Sequence, residues 1–159
     1  MYVRLEYFQC SHLGSQMLLI LQGFEVFCLA TDRVEICKEL LKGGEQPSSH
    51  FCPPVAGYKP IEGLKHDIVT ARKLLAAAGY GKDKKEFPKM EISYNTSEGH
   101  KMIAEAISQQ WKQNLGVDVG TRNMEWKVYL DNQNNLDYAI SRSSWIGDYA
   151  DPFTFFSIF

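Results

Sequence analysis

Two hydrophobic periodicities alternate along the second half of the chain. Between residues 98 and 115 apolar residues recur at the spacing of one helical face, and Gly116 follows as a stop signal. The segments on both sides of this helix alternate between apolar and polar residues, as half-buried strands do. The pattern predicts strands at 89–95, 117–124 and 136–143, and helices at 97–115, at 125–133 and from Asp151 onward, with Pro152 in the first turn.

The middle of the chain contains two predicted helix starts. Asp32 precedes a short apolar face at 34–41, and Asp67 precedes a second face at 68–78; both are predicted N-caps. Between them, residues 45–60 are rich in Pro, Ser and Gly, which predicts an extended surface loop.

The first 28 residues have no clear period. The apolar stretch at 17–28 is compatible with a helix or with a strand, and both interpretations stay open. We therefore leave residues 1–28 as an unassigned N-terminal segment.

The order of the later elements, strand and helix in alternation, predicts an α/β sheet with right-handed crossovers. Such sheets bind ligands beyond the carboxyl ends of their strands. We call the three segments predicted to meet there, residues 95–97, 124–126 and 141–148, the carboxyl edge.

Composition excludes some classes of function. A net charge of -2 and a pI near 6.1 do not favour a nucleic-acid partner, which would need a clustered basic surface. Gln22 and Glu25 interrupt the most apolar stretch, so no segment reaches the roughly 20 apolar residues of a membrane span. The N-terminus also offers no convincing signal peptide, because a long region containing both Arg4 and Glu6 precedes that stretch.

Catalytic and metal chemistry finds little support in the sequence. The stretch SRSSW lacks a nucleophile elbow, and the four histidines form no paired pattern. We predict that the protein is not an enzyme and has no metal or cofactor. The cysteines show no metal-ligand spacing and are interpreted as free thiols, with a Cys37–Cys52 disulfide as the alternative in an exported chain.

The stretch SRSSWIGDYADPF, residues 141–153, favours a binding function. Asp148 can accept charge-assisted hydrogen bonds from an ammonium group, while the indole of Trp145 covers the neighbouring part of a ligand. The alternative is structural, with Trp145 in the core and Asp148 in a turn.

Five ordered segments carry a resemblance to a known family. They are LATDRVEICKELLKGGEQPSSHFCPP, ARKLLAAAGY, ISYNTSEGHKMIAEAISQQWKQNLGVDV, NMEWKVYLDN and DYAISRSSWIGDYADPFTFFSIF. Together they resemble the C-terminal lobe of the periplasmic oligopeptide-binding proteins of ABC importers, extracellular solute-binding protein family 5. The resemblance covers residues 29–159 and implies part of one lobe of a periplasmic-binding-protein-like fold, a mixed sheet flanked by helices.

The same resemblance implies roles for four residues. Asp148 lies where the family's acid meets the α-ammonium group of a peptide, and Trp145 and Trp126 match aromatic residues that line side-chain pockets. Arg142 matches a basic residue near the ligand or the surface between the lobes. Gln133 stands where some members carry a basic residue, so recognition of a free peptide carboxylate is not expected.

The resemblance also implies partners and a compartment. The partners are an oligopeptide, an ABC permease and an N-terminal lobe that this sequence does not contain; the compartment is the periplasm or cell envelope. We expect a truncated receptor lobe that binds peptides weakly, and self-association through exposed aromatics at Trp126, Trp145, Tyr149, Phe153, Phe155, Phe156 and Phe159. The alternative is a diverged stand-alone α/β module that acts in protein interaction without a small ligand; a small hydrolase would instead depend on Ser143, Ser144 or Asp148.

Overall fold

The computed structural model describes residues 4–10, 17–80 and 86–157, with side chains from residue 24 onward. Its strands are β1 (Arg4–Cys10), β2 (Met90–Asn95), β3 (Val119–Met124) and β4 (Ile140–Ile146). Its helices are α1 (Met17–Ala30), α2 (Arg33–Glu35), α3 (Ile68–Ala77), α4 (Glu98–Leu115), α5 (Trp126–Asn134) and α6 (Phe153–Phe156). A π-helical turn, Ile36–Leu41, follows α2 directly.

The four strands form one mixed sheet in the order β1-β4-β2-β3. β2 runs parallel to β3 from the pair Met90–Val119 to the pair Asn95–Met124, and parallel to β4 at Ser93–Ser141. β1 runs antiparallel to β4 along its full length. The predicted fold class, an α/β lobe whose mixed sheet is flanked by helices, is confirmed.

The main core lies between one face of the sheet and helices α1, α3 and α4. Alternate residues of the strands point into it, because successive strand side chains face opposite sides. Trp111 of α4 is 4% exposed, and its indole N–H donates to Thr31 Oγ1 over 2.9 Å. The buried members of the main core are Val26, Phe27, Leu29, Ala30, Ile36, Ala71, Leu75, Ile92, Tyr94, Ile103, Ala104, Ile107, Trp111, Leu115, Val117, Val119 and Ile140.

Helix starts follow the predicted caps. The Asp32 carboxylate accepts a hydrogen bond from the Glu35 N–H over 3.0 Å, and the Asp67 carboxylate accepts one from the Thr70 N–H over 3.0 Å. α4 ends at Gly116, whose φ of 71° places it in the left-handed region. These local signals are the reason why α3 and α4 match their predicted limits closely.

Two predicted elements are shifted. The predicted helix at 34–41 divides into the single turn of α2 and a π-helical turn. The strand predicted at 136–143 begins only at Ile140, because Leu136 adopts a φ of 55° and the Asn132 side chain holds the carbonyl of Asp137. At α6, Pro152 occupies the N-cap position, and the Asp151 carboxylate accepts a hydrogen bond from the Phe153 N–H over 2.8 Å.

The N-terminal segment contains two elements that pack with the rest. Residues 17–28 belong to the helix α1, which resolves the open choice between helix and strand in favour of the helix. Val26 and Phe27 are buried in the main core. β1 was not predicted, because Tyr7 and Phe8 break its alternation and its partner strand lies more than a hundred residues away.

The described residues contain no helix that is long and apolar enough to cross a membrane. Cys28, Cys37 and Cys52 take part in no disulfide, so the alternative Cys37–Cys52 bond is not formed. Of the aromatic set predicted to be exposed, Phe155 is buried at 1% exposure, so the prediction is wrong for this residue; Trp145 is partly buried, and Phe159 lies outside the described residues.

Candidate functional site

The carboxyl ends of β2 and β3 are joined through one residue. The Thr96 N–H donates to the Met124 carbonyl over 2.8 Å, and its hydroxyl donates to Asn123 Oδ1 over 2.7 Å. β4 runs parallel to β2, so the carboxyl end of β4 at Ile146 points to the same edge of the sheet as the carboxyl ends of β2 and β3. The predicted carboxyl edge therefore exists, and it is formed by turns that follow three neighbouring parallel strands.

The part of β4 that carries the candidate site extends past its pairing with β2. That pairing ends at Ser141, whereas β1 pairs with β4 as far as Trp145 and Ile146. The unassigned N-terminal segment thus supplies the strand that supports Trp145 from the side.

Trp126 is held at the edge by α5. It is the first residue of this helix, is 53% exposed and stacks on Tyr129 with a distance of 5.7 Å between ring centroids. Tyr129 is buried, and its hydroxyl donates to the Arg142 carbonyl over 2.8 Å and contacts Ser143 Oγ at 2.9 Å. Tyr129 therefore connects Trp126 on α5 to β4, the strand that carries Trp145.

Asp148 presents an exposed carboxylate just after β4. Its main-chain N–H donates to Thr154 Oγ1 over 3.0 Å, so the backbone at this position is fixed although the side chain is free to solvent. Trp145, three residues earlier, is partly buried, which agrees in part with the structural interpretation of this residue.

A second, small apolar cluster supports the edge, and we call it the α6 cluster. Its buried members are Phe155, 1% exposed, and Cys52, 2% exposed; Phe51, Val55, Tyr58 and Trp145 pack around them. The segment at 45–60 is a loop without helix or strand, as predicted, but apolar residues of its second half pack against α6 and Trp145 instead of facing solvent. Its apolar residues form the floor beneath α6 and Trp145.

Aromatic contacts connect this floor to α6. The rings of Phe51 and Tyr58 lie 6.1 Å and 5.9 Å from that of Phe156, centroid to centroid. Burial, and next the nearby Asp151 carboxylate, raise the pKa of the Cys52 thiol. Cys52 therefore stays protonated at neutral pH and acts as an apolar packing residue.

Arg142 is not placed beside Asp148. It is 1% exposed, and strand alternation puts its side chain on the opposite face of β4 from Trp145. Gln133 is also turned inward, since its amide nitrogen donates to Ser141 Oγ over 2.9 Å and to Ser143 Oγ over 2.6 Å. Of the four predicted site residues, Trp126, Trp145 and Asp148 lie at the carboxyl edge, and Arg142 is buried within β4.

A separate depression lies at the other end of the strands. It has a volume of about 320 Å³ and is lined by Lys89, Met90, Glu91, Ser93, Arg122, Tyr138 and Ala139.

Across the described residues, no group of three His, Cys, Asp or Glu side chains is arranged to hold a metal ion. The carboxyl edge combines the exposed carboxylate of Asp148 with the aromatic residues Trp126 and Trp145, a combination that suits a ligand with a cationic end and an apolar body.

The mixed α/β sheet with flanking helices is that of one lobe of a periplasmic-binding-protein-like fold. The model of the family "Bacterial extracellular solute-binding proteins, family 5 Middle" matches residues 27–159, and the chain belongs to this family.

Named relatives support the same assignment. The chain is 42% identical over 137 residues to the periplasmic murein peptide-binding protein MppA of Escherichia coli (strain K12), an alignment that covers 82% of this chain. It is 38% identical over 138 residues to the oligopeptide-binding protein OppA of Bacillus subtilis (strain 168), covering 80% of this chain. In both comparisons the chain spans 25% of the relative's length.

The structural comparison covers nearly the whole chain. The crystal structure of the periplasmic oligopeptide-binding protein OppAIV from Borrelia burgdorferi matches with a TM-score of 0.86 and 34% identity, over 99% of this chain and 32% of that one. The chain therefore corresponds to about a third of the length of that protein, which is part of one lobe.

The sequence analysis did not predict several residues that support the candidate site. Thr154, Gly147 and the apolar residues of the loop at 45–60 hold Trp145 and Asp148 in place. The one available signal was the set of apolar residues inside a Pro-rich loop, FCPPVAGY, which a solvated loop does not need.

Proposed function

We propose that this chain is the peptide-binding lobe of an ABC importer receptor and that Asp148 receives the α-ammonium group of the peptide. One observation carries the proposal: an exposed carboxylate whose backbone is fixed stands at the carboxyl edge, three residues after Trp145. The names of the relatives, murein peptide-binding and oligopeptide-binding protein, support peptides as the ligand class.

The proposed contacts divide between charge and apolar surface. Asp148 would accept hydrogen bonds from the ammonium group, while the exposed ring of Trp126 and the partly buried ring of Trp145 would border the first side chains. Arg142 is buried and would not touch the peptide in this arrangement. No step of this function is catalytic.

Affinity is expected to be weak in this chain alone. At an open edge a charged contact contributes roughly 0–1 kcal/mol, and aromatic contacts add about 1–2 kcal/mol. Association costs at least about 4 kcal/mol, and a millimolar complex already requires about 4 kcal/mol net. We therefore propose millimolar or weaker binding, with a second lobe supplying the remaining contacts. A permease partner and a position outside the cytoplasmic membrane follow from the same proposal.

The second candidate function is interaction with another protein surface, including self-association. It is favoured by the exposure of large apolar side chains around the edge: Trp126, Ile146, Tyr149, Phe153 and Phe156. Sedimentation velocity over a range of concentrations tests it. A chain that stays monomeric at high concentration would contradict self-association.

The peptide proposal is tested by comparing trialanine with its N-acetylated form in an NMR titration. The two ligands share their apolar bodies and differ in the α-ammonium group. We expect trialanine to bind at least about threefold more tightly to the wild-type chain, and this preference to disappear in Asp148→Asn, whose fold should be unchanged. Equal binding of the two ligands by the wild-type chain would overturn the proposal.

A further inference from the structure

Residue 148 is the first position after β4 that is held by a side chain. Strand pairing with β1 ends at Ile146, and the residues from Asp148 to Asp151 are exposed. The Asp148 N–H nevertheless donates to Thr154 Oγ1 over 3.0 Å, and Thr154 itself is 1% exposed. An exposed turn is thereby anchored to a buried hydroxyl.

Thr154 has little freedom to move. Its own N–H donates to the Asp151 carbonyl over 3.2 Å, and the next residue, Phe155, is buried against Cys52. The start of α6 is closed by the Asp151 carboxylate, which accepts from the Phe153 N–H over 2.8 Å. The acceptor oxygen is therefore presented by a packed turn rather than by a mobile loop.

Gly147 allows the strand end to approach this turn. A Cβ atom at position 147 would lie 3.0 Å from Phe155 Cζ and 3.1 Å from Thr154 Cγ2, closer than ordinary van der Waals contact. The absence of a side chain at Gly147 lets the next N–H, that of Asp148, reach the Thr154 hydroxyl.

We propose that Thr154 is a positioning residue for peptide recognition, which fixes the backbone that carries the Asp148 carboxylate without touching the ligand. This inference rests on the proposed function of Asp148. The hydroxyl accepts the main-chain N–H, and this bond sets the orientation of the Cα–Cβ bond from which the carboxylate extends. Because the backbone at Asp148 is already ordered, only its side-chain torsions have to be fixed when the ammonium group arrives, so binding loses less entropy.

The matched variants are Thr154→Val and Thr154→Ser in the full chain. Valine keeps the branched shape and removes the acceptor, whereas serine keeps the acceptor and removes a methyl group. Two readouts are needed: the hydrogen-exchange rate of the Asp148 amide, and the ratio of affinities for trialanine and N-acetyl-trialanine. We expect Thr154→Val to speed exchange about tenfold and to lower the affinity ratio toward one, and Thr154→Ser to restore both.

Two results separate failure of this inference from failure of the proposed function. A wild-type preference for trialanine that survives intact in Thr154→Val overturns the positioning role and leaves Asp148 as the receptor. A wild-type chain without any preference overturns both. If Thr154→Val does not fold, Thr154→Ala serves as the second acceptor-free variant, and the same two readouts decide.

Discussion

The main core and the α6 cluster pack against the same sheet, but the main core contains many more buried side chains than the α6 cluster. The main core joins three helices to the strands and contains Trp111, Ile92 and many other buried side chains. The α6 cluster has Phe155 and Cys52 as its buried members and is completed by partly exposed rings. Global stability therefore resides in the main core, while the candidate site is held by a cluster that can loosen locally.

The difference has a functional meaning. Under the proposed function, the lobe has to keep its sheet intact while the edge that would meet a ligand remains accessible and adjustable. Residues at the edge are half-exposed aromatics and a solvated carboxylate, which contribute little to folding. Substitutions in the two regions should accordingly separate loss of stability from loss of binding.

The largest effect is expected for Trp111→Ala. Truncation of a buried tryptophan in the main core should lower the free energy of unfolding by about 3–5 kcal/mol. Trp126→Ala is the matched control, because Trp126 is 53% exposed; its cost should stay below about 1 kcal/mol. Urea denaturation measures both. Similar costs for the two substitutions would contradict the contrast between core and edge.

Phe155→Ala should have the next largest effect. We expect a loss of about 2–3 kcal/mol, below the range for the main core, because the small cluster can relax around the removed ring. The peptide response should be lost at the same time, since Trp145 and Thr154 lose their support. Phe153→Ala is the control: Phe153 is 64% exposed, and denaturation should barely change. Retention of the peptide response in Phe155→Ala would show that the cluster does not support the site.

Gly147→Ala should destabilise the edge by about 1–3 kcal/mol, because the added methyl group meets Phe155 and Thr154. Gly99→Ala provides a control of opposite sign. A Cβ at Gly99, in the first turn of α4, meets only Ser97 Oγ at 3.9 Å, so alanine should stabilise the helix by up to about 1 kcal/mol. Hydrogen exchange at residues 148–157 locates the effect. Unchanged exchange there in Gly147→Ala would argue against a tight approach.

The smallest effect concerns alkaline pH. Burial raises the pKa values of the Cys28 and Cys52 thiols in the folded chain. Above the ordinary thiol pKa the unfolded chain releases protons that the folded chain retains, so the free energy of unfolding should fall as pH rises. The double variant Cys28→Ala, Cys52→Ala should show a flatter profile in urea denaturation from neutral to alkaline pH. Parallel profiles for the two proteins would contradict the assigned pKa direction.

Local elements were predictable from the sequence because their signals are local. Asp67 caps α3 and Gly116 ends α4. β2 and β3 lie where the alternating pattern predicts strands, although Ile92, Ser93 and Tyr94 of β2 are buried in succession. The pairing of β1 with β4 could not be predicted, because it depends on residues far apart in sequence. The late start of β4 follows from the positive φ of Leu136. Leucine rarely adopts the left-handed conformation, so the sequence does not indicate it.

The site was only partly predictable. Trp145 and Asp148 stood out by residue type and by resemblance, and the structure places both at the carboxyl edge. The burial of Arg142 and the hydrogen bond from the Asp148 N–H to Thr154 could not be predicted, because both depend on how α5 and α6 pack against β4. A sequence pattern identifies which residues can meet a ligand more readily than which residues hold them in place.

The most direct test of the account is an NMR map of where trialanine binds the wild-type chain. We predict chemical-shift changes that saturate at millimolar or higher concentration and are concentrated at Trp126, Trp145 and residues 147–149. Changes centred instead on the depression lined by Glu91, Arg122 and Tyr138 at the other end of the strands would contradict the placement of the binding site at the carboxyl edge.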